Sequence, residues 1–110
     1  MRKMFHERGF EEYIYWQTHD KKTLKKINNL LKDIERNGEL NGIGKPEALK
    51  GNLQGWYSRR IDEQNRLVYR IVDEVIEISE CRSHYGDKKK IFSCVENFLF
   101  DDLKNLFTNL

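Results

Sequence analysis

Between positions 45 and 85 the chain gathers the side chains that acid–base chemistry on a phosphodiester requires. Glu47 is a carboxylate that can take a proton, and His84 is an imidazole that can give one. Arg59, Arg60, Arg66, Arg70 and Arg82 supply guanidinium groups able to hold the negative charge that builds up between them. Lys45, Lys50 and the Tyr85 phenol complete the set. The same residues would also suit a solvated sheet with ordinary surface charge, and their types alone do not separate the two readings. The question is whether the fold brings them to one face.

The elements that must position them can be read from periodicity. Residues 2–6 form a short mixed run suited to an edge strand. Residues 8–17 carry Phe10, Tyr13, Ile14 and Trp16 at helical spacing, which predicts a core-facing helix with Glu11 and Glu12 turned away. Asp20 is a helix N-cap for the second helical segment. In that segment Leu24, Ile27, Leu30, Leu31 and Ile34 make one apolar stripe, and Asn37-Gly38 supplies the stop. Lys21, Lys22, Lys25, Lys26 and Lys32 lie off that stripe and read first as a solvated face. Residues 39–55 are a glycine-rich loop holding the lone Pro46; loops of that length in compact domains tend to be functional. Strand-like runs at 56–61, 65–72 and 75–82 come next as an antiparallel meander. The expected fold is α+β: a small twisted antiparallel sheet with an N-terminal αα-hairpin packed on one face.

The register of the meander carries a specific difficulty. A two-residue turn at Asp73-Glu74 sets Val72 opposite Val75, Tyr69 opposite Ile78 and Arg70 opposite Glu77. Leu67, Tyr69, Ile71, Ile76 and Ile78 then share the buried face. Continued without a break, this register puts Arg66 on the open face and His84 on the buried one. Two groups meant to share a phosphate would be split. Either the last strand ends by about Arg82, or a β-bulge near 81–83 turns His84 over.

Composition bounds the function classes. The chain has 110 residues, enough for one modest core, and its net charge of +2 leaves polyanion binding to local clustering. No apolar run approaches the ~18 residues of a membrane span, and the start lacks a secretory h-region. Cys81 and Cys94 read as free thiols, which together with the rest points to the cytoplasm and to no structural metal.

The segments EEYIYWQTHDKKTLKKINNLLKDI, KPEALKGNLQGWYSRRI, NRLVYRI and CRSHY, in that order and spacing, resemble YoeB-type (Txe-type) toxins of the RelE/ParE superfamily across residues 1–85. The resemblance implies a RelE-like fold and the toxin half of a bacterial toxin–antitoxin pair. It further implies an endoribonuclease that cleaves mRNA in the ribosomal A site without metal or cofactor. Carried over, Glu47 deprotonates the 2′-hydroxyl, Arg66 stabilises the dianionic transition state and His84 protonates the leaving 5′-oxygen. Tyr85 orients the phosphate or stacks on a base. Lys50, Arg59 and Arg60 fall where the family holds RNA. A cognate antitoxin is the implied partner, and a homodimer is left open. His6 and His19 receive no role.

Residues 86–110 depart from the family pattern, which ends near the His-Tyr pair. Ile91, Val95, Phe98, Leu99, Leu103, Leu106 and Phe107 keep helical spacing and predict an amphipathic helix over 88–107 that packs on its own domain or on a second copy. Two other function classes compete: a gyrase-directed poison of the same superfamily, and a silent homologue that only binds an antitoxin. The first would not be expected to hold Glu47, Arg66 and His84 together.

Overall fold

The computed structural model describes residues 1–83. Expectations concerning His84, Tyr85, Cys94 and the helix over 88–107 lie outside the described residues. The described chain runs β1 (Arg2–Phe5), α1 (Glu7–His19), α2 (Lys21–Asn37), β2 (Glu47–Ala48), β3 (Tyr57–Arg60), β4 (Arg66–Val72) and β5 (Val75–Ser83). These five strands form one sheet in the order β1-β5-β4-β3-β2, with both helices on one face. The α+β layout agrees with the sequence, with two additions. β1 enters parallel to β5, while the other pairings are antiparallel. The glycine-rich loop also contains a two-residue strand, β2, too short for any periodicity to reveal.

The helices begin and end where their chemistry directs. Asp20 accepts the Lys22 and Thr23 N–H groups at 3.1 and 3.2 Å, and Gly38, at φ 86°, closes α2 through its N–H to Ile34 O at 2.8 Å. The α2 stripe is the centre of the core: Ile27, Leu30, Leu31 and Ile34 are buried against Leu67, Tyr69, Ile76 and Ile78. Burial of each such side chain contributes roughly 1.5–3 kcal/mol gross. Among the described residues no helix is long and apolar enough to cross a membrane.

Helix α1 corrects the sequence reading in two respects. Phe10 and Ile14, expected in the core, are 53% and 40% exposed, and only Trp16 of that stripe is buried. The helix rests on the sheet through Gly9, where a Cβ would stand 2.7 Å from Ile78 O. Glu12 is also not turned away. Its Oε1 accepts the Cys81 N–H at 2.7 Å, and Trp16 Nε1 donates to Cys81 O at 2.9 Å. β1 pairs with β5 only as far as Ile78, so beyond that point α1 side chains satisfy the sheet edge.

Candidate functional site

The meander places the candidate groups by alternation. Tyr57, Leu67, Tyr69, Ile76 and Ile78 face the helices. In antiparallel pairs, partners share a face, so the even-numbered residues of β3 and β4 point to the other one. Glu47 is paired with Ser58, and Ser58 with Val68; one step along, Arg60 is paired with Arg66. Glu47, Arg60 and Arg66 therefore share the face away from the helices. From strand spacing alone, the Cα atoms of Glu47 and Arg66 are about 12 Å apart, a gap that the two side chains and a phosphate between them would fill.

β5 carries two irregularities whose effects on facing cancel, so that Ser83 lies on the open face with Arg66; the face taken by His84 lies outside the described residues. Tyr69 is opposite Ile78, as the turn at Asp73-Glu74 dictates, but Val68 is opposite Glu80 and Arg66 opposite Ser83. Each jump inserts one extra residue into β5. One of them falls between Glu80 and Ser83, where a bulge is one of the two expected alternatives; the other, beside Ser79, has no counterpart in the sequence reading. Both Ile78 and Cys81 consequently face the core despite their odd spacing. The strand does not end before Arg82. Ser83 sits across from Arg66.

Arg66 is buried, and its Nη1 donates to Asp62 O (2.6 Å), Asn65 O (3.1 Å) and Glu63 O (3.3 Å). The turn that presents those carbonyls is built by Asp62, whose Oδ1 accepts the Gln64 and Asn65 N–H groups at 2.8 and 2.7 Å. Burial works against the Asp62 charge, but Asn65, these N–H groups and Arg66 outweigh it and hold its carboxyl below the usual range. The sequence reading places a turn at 62–64 but does not connect it with Arg66.

Glu47 is exposed on β2, where Leu49 N–H donates to Trp56 O at 2.9 Å to close the hairpin. Lys50 is exposed at the hairpin's far end, as the N-cap of a single 3-10 turn, Gly51–Leu53. Arg60 is exposed beside Arg66. Arg59 corrects the expectation of an RNA contact. It is wholly buried on the helix side, donating to Tyr69 Oη, Asp33, and the carbonyls of Gly38, Asn41 and Ile43. Adjacent strand residues point to opposite faces, so Arg59 and Arg60 could not both have met RNA.

Elsewhere on the open face Arg70 clasps Glu77, with Nε–Oε2 at 3.1 Å and Nη2–Oε1 at 3.2 Å, in the predicted register. His6 Nε2 lies 2.9 Å from Glu77 Oε1, and Arg70 stands 4.2 Å over the Trp56 ring. Arg70 first, then His6, lowers the Glu77 pKa. His19 stacks on Tyr15 at 3.9 Å. Both histidines thus have local partners.

Comparison with known proteins agrees with this fold. The family model described as a YoeB-like toxin of bacterial type II toxin-antitoxin systems matches residues 5–85. Toxin YoeB of Escherichia coli (strain K12) is 48% identical over 85 residues, which is 77% of this chain and 100% of that protein. One chain of a heterotetrameric YoeB-YefM toxin-antitoxin complex from Staphylococcus aureus superposes with a TM-score of 0.74 at 55% identity, covering 77% of this chain and 98% of its own. A YoeB dimer from Staphylococcus aureus matches with the same score, identity and coverage. The chain belongs to the YoeB-like toxins of bacterial type II toxin–antitoxin systems.

Proposed function

We propose that this toxin is an endoribonuclease that cleaves mRNA in the ribosomal A site by acid–base transesterification. The observation that supports it most is the shared face: Glu47, Arg60 and Arg66 project together, and β5 reaches Ser83 opposite Arg66 on its way to His84. RNA carries its own nucleophile, the 2′-hydroxyl next to the scissile phosphate. Glu47 takes the hydroxyl proton as the oxygen attacks phosphorus. Arg66, its plane fixed by the carbonyls of the 62–65 turn, meets the charge on the pentacoordinate phosphorane. His84 gives a proton to the departing 5′-oxygen. Tyr85 orients the phosphate or stacks on a base, and Lys50 and Arg60 hold the flanking strand. The P–O5′ bond breaks as the 2′-O–P bond forms, leaving a 2′,3′-cyclic phosphate and a 5′-hydroxyl, with no metal or cofactor needed. In the cytoplasm a cognate antitoxin would restrain the toxin, as YefM accompanies YoeB in the Staphylococcus aureus complex.

The test is translation in a purified ribosomal system with mRNA 5′-end mapping. Unmodified protein should generate discrete 5′-hydroxyl ends in A-site codons. Glu47→Gln and His84→Gln should each lower the rate by about 10²–10⁴-fold without changing the melt, since each removes one proton-transfer group. Absence of cuts by the unmodified protein would overturn the reading in favour of a non-nucleolytic, antitoxin-binding protein.

A further inference from the structure

Resting on that reading, we propose that buried Arg59 and Tyr69, with half-buried Asp33, form a hub whose role is to position the loop that delivers Glu47. The loop from Gly38 to Gly44 contains no helix or strand, yet much of its main chain is held by this hub. Arg59 Nη2 donates to Gly38 O (2.8 Å) and Asn41 O (2.6 Å), and its Nη1 donates to Ile43 O (3.0 Å) and to Asp33. Its Nε donates to Tyr69 Oη at 2.9 Å, and Tyr69 Oη in turn donates to Glu39 O at 2.6 Å. Asp33 Oδ2 accepts the Ile43 N–H at 2.9 Å. Glu39 Oε2 then accepts the Ile71 N–H at 3.1 Å, satisfying β4 beyond the end of its pairing with β3.

All five Arg59 N–H groups are thus used, each directed at one loop, either directly or through Tyr69 and Asp33. A buried guanidinium with its carboxylate is a poor device for stability, because apolar side chains of similar volume often do as well or better. It is a good device for conformation, since a rigid fork fixes several carbonyls at once. The glycines fit this account. A Cβ at Gly42 (φ 115°) would collide with Asp33 Oδ2 and lie 2.9 Å from Arg59 Nη1. One at Gly44 (φ 82°) would lie 2.9 Å from Leu30 Cδ2 and 3.2 Å from the Arg59 Cβ. The loop can lie on the hub only as glycine.

Glu47 comes three residues later. Its own strand is two residues long at the sheet edge, too short to hold a carboxylate to a fraction of an ångström. The strand is anchored on the outgoing side by Leu49 N–H to Trp56 O. On the incoming side Gly44 O accepts the Arg60 N–H at 2.6 Å, a main-chain bond directly after the last loop residue held by the hub, Ile43. Arg59 and Tyr69 are therefore positioning residues, acting on the reaction through Glu47.

The experiment compares full-length wild type with Tyr69→Phe, which removes only the hydroxyl, and Arg59→Lys, which keeps the charge but supplies three donors for five. Amide hydrogen exchange and steady-state cleavage of mRNA-loaded ribosomes are measured for each. Exchange across 38–49 should rise about tenfold or more while core amides of β4 and β5 hold, and kcat should fall about 10–100-fold with KM within about twofold. Should Arg59→Lys fail to fold, Tyr69→Phe decides alone. Unchanged loop exchange in Tyr69→Phe overturns the hub. A loosened loop with unchanged kcat leaves it structural and overturns its role in the reaction. If wild type makes no cut, the endoribonuclease reading falls and this inference with it, a failure visible in the control and distinct from the other two.

Discussion

The dipeptide Arg59-Arg60 shows how much one residue of offset decides. Arg60 lies exposed in the row of Arg66, while Arg59 is sealed under the helices. Two neighbours on a strand never share a face, so the sequence can separate them, but only once the β3–β4 register is known; by charge alone they look alike. Arg66 is singled out in the sequence by its motif, yet its anchoring by Asp62, Glu63 and Asn65 carbonyls is not legible there, because carbonyl directions depend on the turn's dihedrals. That anchoring makes Arg66→Lys a severe change. An ammonium keeps the charge but cannot hold the turn and two phosphate oxygens together, so kcat should drop by about 10²-fold or more while ribosome binding changes little. Equal losses in rate and binding would make Arg66 a simple anchor. Asp33 gives a second prediction. Burial opposes its charge most strongly, but Arg59, the Ile43 N–H and Asn37 together outweigh it, so its folded pKa lies below the unfolded one. Its contribution is then present above the unfolded pKa of about 4 and drains away as pH falls through the lower folded value. Asp33→Asn should cost about 2–4 kcal/mol at pH 7, where Arg59 loses its charged partner, and progressively less toward pH 2. Thermal melts of both proteins across that range test this; a pH-independent difference would contradict it.

At the scale of elements, the helix α2 stripe and the β4–β5 turn are the most readable features, because each is a local pattern repeated several times. Helix α1 is readable as a helix and not as a packed one. Its aromatic spacing has the correct period, but the contact is set by Gly9, the residue that lets the helix backbone approach β5. A glycine inside a helical pattern is the available signal. Glu12 looks solvent-facing in the sequence because a charge normally is. Its partner, the Cys81 N–H, is orphaned only because β1 stops pairing at Ile78, which no pattern within α1 records. Its pKa is raised, burial being the main cause despite the Cys81 N–H and Arg8. This side-chain edge holds α1 to β5 at Cys81, between the strand's irregularities and Ser83. Gly9→Ala should therefore be destabilising, although in an ordinary helix interior it would gain about 1 kcal/mol. The added methyl meets Ile78 O at 2.7 Å and Ser79 O at 3.2 Å, so the helix must lift, at a net loss of about 1–3 kcal/mol. Urea unfolding gives the sign directly, and a stabilised variant would mean that α1 has room the structure denies.

For the whole molecule, the order of elements along the chain determines the layers, while the closure of the sheet is legible only in part. The long loop after α2 looks unstructured in the sequence because its order comes from Arg59 and Tyr69, distant along the chain, from Asp33 in the preceding helix, and from glycines that make contact by having no side chain. Among the described residues the core is continuous from Trp16 through Cys81, and every strand of the sheet finds its partners within residues 1–83. The Escherichia coli relative is matched over its full length by 85 residues of this chain. A chain ending at residue 85 should consequently fold alone in a single cooperative transition, as domains of this size ordinarily do. Its slowest-exchanging amides should be those of Leu67, Tyr69, Ile76 and Ile78, all fully buried in β4 and β5. Circular dichroism melts and hydrogen exchange on both lengths provide the check. A broad, non-cooperative melt for the shorter chain, with those four amides unprotected, would mean that residues 86–110 belong to the folding unit and that the core drawn from 1–83 is incomplete without them.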